Sequence, residues 1–183
     1  MADLDPVIPD EKDWTWTLTR RCDDCGLFAG EVDPREVPDR AYVAAEEWVQ
    51  ILRESPAVEA RPEPGVWSPL EYACHLRDML LVQRERVLLA RRVERPDCTP
   101  MGRDERVEHD GYADQAPADV ARQLTDAGEL FANVLRRLPA AEWERTVLYR
   151  YPEPTERTLR WVALHTLHEV RHHLLDIRRQ SPE

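Results

Sequence analysis

Leu167-His168-Glu169-Val170-Arg171-His172-His173-Leu174-Leu175-Asp176-Ile177 joins an apolar stripe to a crowd of imidazoles, and its reading decides the fold. Followed outward, the stripe contains Leu159, Val162, Ala163, Leu167, Val170, Leu174 and Ile177 at spacings of three and four, which predicts a helix from about Glu156 to Arg179. Four of the six histidines, His165, His168, His172 and His173, fall in this segment. A single histidine near an arginine-rich helix end reads as a residue compensating the helix dipole, but four in one segment do not. Residues four apart stack on one helix face, so His168 and His172 can present two imidazoles to one ion.

Three further helices are expected upstream. Ala41, Ala44, Ala45, Trp48, Ile51 and Leu52 predict one over about 39–54. Ser68-Pro69-Leu70-Glu71 combines a serine cap, proline at the first helical position and glutamate at the third, and starts a helix reaching about Val93 with His75 near its beginning. Val120, Leu124, Ala127, Phe131, Val134, Leu135 and Leu138 predict a helix over 117–138. Four substantial helices imply an all-α four-helix bundle over 39–180. Residues 1–38 read as an extended arm, with a short strand suggested by Trp14-Thr15-Trp16-Thr17-Leu18, and 94–116 as a long polar loop suited to covering a pocket. A turn near Trp143 and an extended Val147-Leu148-Tyr149 precede the last helix.

His168-Glu169-x-x-His172 matches HExxH, in which two histidines hold zinc and the glutamate is a general base. The eleven residues after His172 leave no room for a downstream ligand, so the third must come from upstream, where His75 and His109 are the candidates. His75 is favoured because it stands on a helix.

At these residues the chain resembles the DinB-like (DinB/YfiT) superfamily. Val66-Trp67-Ser68-Pro69-Leu70-Glu71-Tyr72-Ala73-Cys74-His75-Leu76-Arg77-Asp78 and the quoted segment of the last helix carry the resemblance, which spans about 39–180. It implies a four-helix bundle holding a metal through His75, His168 and His172. Its relatives include thiol-dependent transferases and isomerases using mycothiol or bacillithiol. In the mycothiol-dependent isomerase branch the last-helix pair is Glu and His, so a His168–His172 pair argues against that activity.

Three neutral imidazoles suit one divalent transition metal, such as zinc, nickel or iron, and leave positions open for water or substrate. Such a site activates either a thiol or a water, giving thiol transfer to a small electrophile or hydrolysis; a non-catalytic metal-binding or stress-response protein is the alternative. Glu169 is a candidate base, or a partner for His173 at i+4. Asp78 and Asp176 are candidates to receive the second ring N–H of a ligand, or ordinary solvated helix acids. Cys22-Asp23-Asp24-Cys25-Gly26 has the CxxC spacing of half a zinc site or a redox pair, with no second CxxC to complete it. A structural role or reversible disulfide ranks ahead of a partial metal site.

The 36 acidic against 25 basic residues give a charge of -11, opposite to what phosphate backbones attract, so neither nucleic acid nor an anionic membrane is an expected partner. A small-molecule substrate and a second copy of the chain, forming a homodimer, are the partners expected. The acidic start MADLDPVIPDEKDW lacks signal-peptide character and no apolar run approaches membrane-spanning length, so a cytoplasmic location is expected.

Overall fold

In the computed structural model, which describes residues 13–180, four long helices carry the fold: α1 (Val37–Glu54), α2 (Pro69–Arg92), α4 (Pro117–Arg136) and α5 (Leu159–Gln180). A short α3 (Arg103–His109) lies between α2 and α4. Each of α1 and α2 packs against both α4 and α5, closing the four-helix bundle. Trp48, Phe131, Leu70, Leu76, Leu80, Leu124, Leu135, Leu164 and Leu167 are fully enclosed between them, and every residue of the expected α5 stripe is buried. Trp48 Nε1 donates to the Val170 carbonyl at 3.3 Å and so fixes α1 against the middle of α5.

The start of α2 is built as its sequence implies. Ser68 Oγ accepts from the Glu71 N–H at 3.2 Å, and the Glu71 carboxylate accepts from the Ser68 N–H at 2.8 Å. This reciprocal cap satisfies two donors that helix geometry leaves unpaired. Glu71 is wholly buried and also pairs with Arg61, so the first turn of α2, one turn before His75, is anchored from outside the helix as well.

Three expectations are corrected. Thr15–Leu18 is a 3-10 turn rather than a strand; residues 1–12 of the expected arm lie outside the described residues. The last helix begins at Leu159, not Glu156, because Pro154–Thr158 forms a strand, β3, antiparallel to β2 (Thr146–Arg150). The supposed loop of 94–116 contains α3 and a two-residue strand, β1 (Asp97–Cys98), which joins the other side of β2 in parallel. This small sheet is minor beside the bundle, but it sets Tyr149–Tyr151 and Pro100–Glu105 against one end of it.

Candidate metal centre and pocket

Because α5 turns by about 100° per residue, the i,i+4 pairs His168/His172 and Glu169/His173 occupy adjacent faces of one helix. The structure sends the two pairs to different neighbours.

His168 and His172 meet the arm. One ligand atom from each of Cys22, Cys25, His168 and His172 can be chosen so that all four lie within 4.8 Å of one another. Cys22 Sγ is 3.6 Å from His172 Nδ1. The two cysteines sit on a tight turn: the Gly26 N–H donates to the Cys22 carbonyl, and the Cys22 N–H to the Leu27 carbonyl, both at 2.9 Å. Gly26 has φ of +71°, a left-handed conformation that glycine adopts without penalty. Trp14 covers the group, its ring 4.4 Å from that of His172 and 5.4 Å from that of His168. His168 is 0 % exposed, and neither of its ring nitrogens has a hydrogen-bond partner. Burial pushes the Cys25 thiol up, but contacts with His168 and His172 and the Leu27 backbone overcome it and bring its pKa down to about 5. Burial disfavours a charged His168, yet Cys25, Glu169 and Cys22 beside it raise its pKa to about 10. Cys25 therefore favours its thiolate, the form in which cysteine binds a metal.

Glu169 and His173 face the pocket, and His75 joins them there. All three line a cavity of about 620 Å³ whose walls include Trp67, Tyr72, Met79, Tyr149 and Arg103. That volume lies in the range of small-molecule sites. The rings of His75 and His173 meet edge to face at 5.5 Å, and His173 Nε2 is 3.7 Å from Glu169 Oε2. His75 Nδ1 is buried without a hydrogen-bond partner. Burial, reinforced by repulsion from His173, lowers the pKa of His75 to about 3 and keeps its ring neutral at cellular pH. Glu169 is pushed up by burial, but His168, His165 and His173 outweigh this and hold it ionised. The pocket trio is looser than the arm group, since its ligand atoms are not all within 4.8 Å of each other.

The expected ligand set is thus divided. His168 and His172 come together with Cys22 and Cys25, His75 comes together with Glu169 and His173, and His172 also lines the cavity beside that trio. His109, the other upstream candidate, ends α3 and does not line the cavity. Asp176 stands where a ring N–H can be received: His173 Nδ1 donates to its Oδ2 at 3.1 Å, and His172 Nε2 is 3.8 Å from its Oδ1. Asp78 is engaged elsewhere, accepting from Arg77 Nε at 2.8 Å, Arg106 Nη1 at 3.1 Å and Tyr112 Oη at 2.7 Å. His165, one of the four last-helix histidines but not among the expected ligands, also lines the cavity, its ring stacked on Trp161 at 4.5 Å.

Fold and site together define a four-helix-bundle protein with a grouping of side chains able to hold a divalent metal. A family model described as the DinB superfamily matches residues 27–177, and the chain belongs to that superfamily. Among solved structures it is similar to YfiT from Bacillus subtilis, described as "a probable metal-dependent hydrolase with an unusual four-helix bundle topology". The two are 19% identical, with a TM-score of 0.63 over 81% of this chain and 91% of that one. No curated protein matches the chain. Among the described residues no helix is long and apolar enough to cross a membrane.

Proposed function

We propose that the chain is a metal-dependent enzyme that joins a low-molecular-weight thiol to a small electrophile in this pocket, with His75, Glu169 and His173 holding the metal. The observation that carries the reading is the convergence of these two imidazoles and one carboxylate on the wall of a 620 Å³ cavity, with a buried His75 nitrogen lacking any partner. Two histidines and a carboxylate are a donor set used by catalytic zinc and non-haem iron, and three protein ligands leave positions open. The Glu–His form of the last-helix pair is the one that the resemblance associates with the mycothiol-dependent branch.

When bound, the metal supplies a Lewis acid that holds a thiol as thiolate near neutral pH. The remaining work falls to the chain's own groups. His75 is held neutral by burial, so its lone pair is available to a metal throughout the physiological range. Asp176 Oδ2 fixes the His173 tautomer by accepting from Nδ1, which leaves Nε2 directed toward Glu169. Trp14, Trp67 and Tyr72 give the cavity apolar walls that exclude water, and Arg103, over the face of Trp67 at 5.6 Å, offers a cation to an anionic substrate group.

The test is incubation of metal-loaded protein with a panel of electrophiles, with and without mycothiol or bacillithiol. Product that forms only with thiol, consumes it, and is lost in His75→Ala and His173→Ala supports the reading. Product formed without thiol indicates hydrolysis, the activity suggested for YfiT. Adduct formation unchanged in His75→Ala overturns the metal assignment.

A further inference from the structure

We propose that Cys22, Cys25, His168 and His172 form a second, closed zinc site that staples the arm to α5 and has no part in substrate chemistry. It rests on a group of side chains separate from the pocket trio.

The chemistry of the donors points to zinc. Two thiols and two imidazoles form a Cys2His2 set, and a divalent ion with two thiolates is neutral overall, so it can be buried without an uncompensated charge. On binding, each thiol gives up its proton to solvent and each imidazole binds through an unprotonated ring nitrogen. The burial is already in place, with Cys22, His168 and His172 at 1 %, 0 % and 5 % exposure.

Three further features indicate a ligand. His168 has both ring nitrogens buried and neither makes a hydrogen bond, a state that native interiors rarely leave unsatisfied. The Cys22–Gly26 turn is closed by two backbone hydrogen bonds and a left-handed glycine, and the sulfurs of Cys22 and Cys25 lie within 4.8 Å of each other and of a ring nitrogen of each histidine. On α5 the i,i+4 spacing of His168 and His172 presents two imidazoles to the same point. Four protein ligands fill a tetrahedral shell, leaving no position for substrate.

The placement has a consequence for the pocket. Glu169 lies between the two histidine ligands in sequence, and His173 follows the second. Fixing His168 and His172 to the arm therefore fixes the rotation of α5 that turns Glu169 and His173 toward the cavity. Glu169 Oε1 also stands 3.8 Å from His168 Nδ1, so one carboxylate lies beside both centres.

The test uses the full chain purified from zinc-supplemented and cobalt-supplemented media. Elemental analysis of the zinc form should find one tightly held equivalent that disappears in Cys22→Ser and in Cys25→Ser. The cobalt form of the unmodified protein should show a thiolate-to-cobalt charge-transfer absorption, which His75→Ala and His173→Ala retain and His168→Ala weakens. Absence of that absorption from the unmodified protein, zinc content unchanged in both serine variants, or recovery of Cys22 and Cys25 as a disulfide in metal-replete protein would each overturn the proposal. The pocket reading can fail without disturbing the thiolate signal, so the two failures are distinguishable.

Discussion

Replacing Glu71 by alanine tests how the fold positions His75. The side chain makes two kinds of contact at the start of α2. It accepts from the Ser68 N–H at 2.8 Å, and it pairs with Arg61 through Nε at 2.9 Å and Nη2 at 2.5 Å, the two side chains being 0 % and 11 % exposed. Removing one partner of a buried ion pair costs roughly 3–5 kcal/mol, because the other charge stays behind in a low dielectric. Loss of the cap bond from the Ser68 N–H adds about 1 kcal/mol. Ser68→Ala, which removes only its own cap bond to the Glu71 N–H, should cost about 1 kcal/mol. At roughly 2–4 °C per kcal/mol for a domain of this size, Glu71→Ala should lower Tm by about 8–24 °C and Ser68→Ala by only about 2–4 °C. Thermal unfolding followed by circular dichroism measures both variants. Because His75 lies one turn beyond Glu71, fraying there should also weaken metal retention in the pocket. A Glu71→Ala variant no less stable than Ser68→Ala would refute the claim that this buried pair anchors α2.

Asp78→Asn should destabilise the protein by about 2 kcal/mol at pH 7, since the carboxylate accepts charged hydrogen bonds from Arg77 and Arg106. Burial pushes the Asp78 carboxyl up, but Arg77 and Tyr112 prevail and its pKa lies below the usual 3.8. Its stabilisation is therefore present above that value and lost as pH falls below it, so urea midpoints of Asp78→Asn and the parent protein should converge in strong acid. Gly26→Ala meets no steric neighbour but must hold φ of +71°, at about 1 kcal/mol; chelator competition should show easier loss of the metal held by Cys22 and Cys25. Phe131→Ala, at a position fully enclosed between α4 and the other helices, should cost about 3–5 kcal/mol by equilibrium unfolding, with no effect on the thiolate signature of a cobalt-loaded chain.

The helices were legible because each buries an apolar stripe, and the start of α2 because capping chemistry is written in four consecutive residues. Strand β3 was not, since Pro154-Thr155-Glu156-Arg157-Thr158 buries none of its residues and so carries no apolar alternation. The histidines announced a metal, but spacing alone could not divide them. On α5 both 168/172 and 169/173 are four apart, and only the packed helix shows that Glu169, His172 and His173 line the cavity while His168 does not. The missing half of the CxxC was hidden by distance, Cys22 and His172 being 150 positions apart in sequence. A signal was present all the same: a CxxC followed by glycine and an i,i+4 histidine pair together make a four-ligand set, and pairing them would have released Glu169 and His173 for His75.

The most direct measurement is anomalous diffraction from crystals of the full chain grown with zinc. The account predicts a peak among His75, Glu169 and His173 at the cavity wall, apart from a second peak among Cys22, Cys25, His168 and His172. One ion shared by His75, His168 and His172, or a pocket trio with no peak in zinc-saturated crystals, would contradict it.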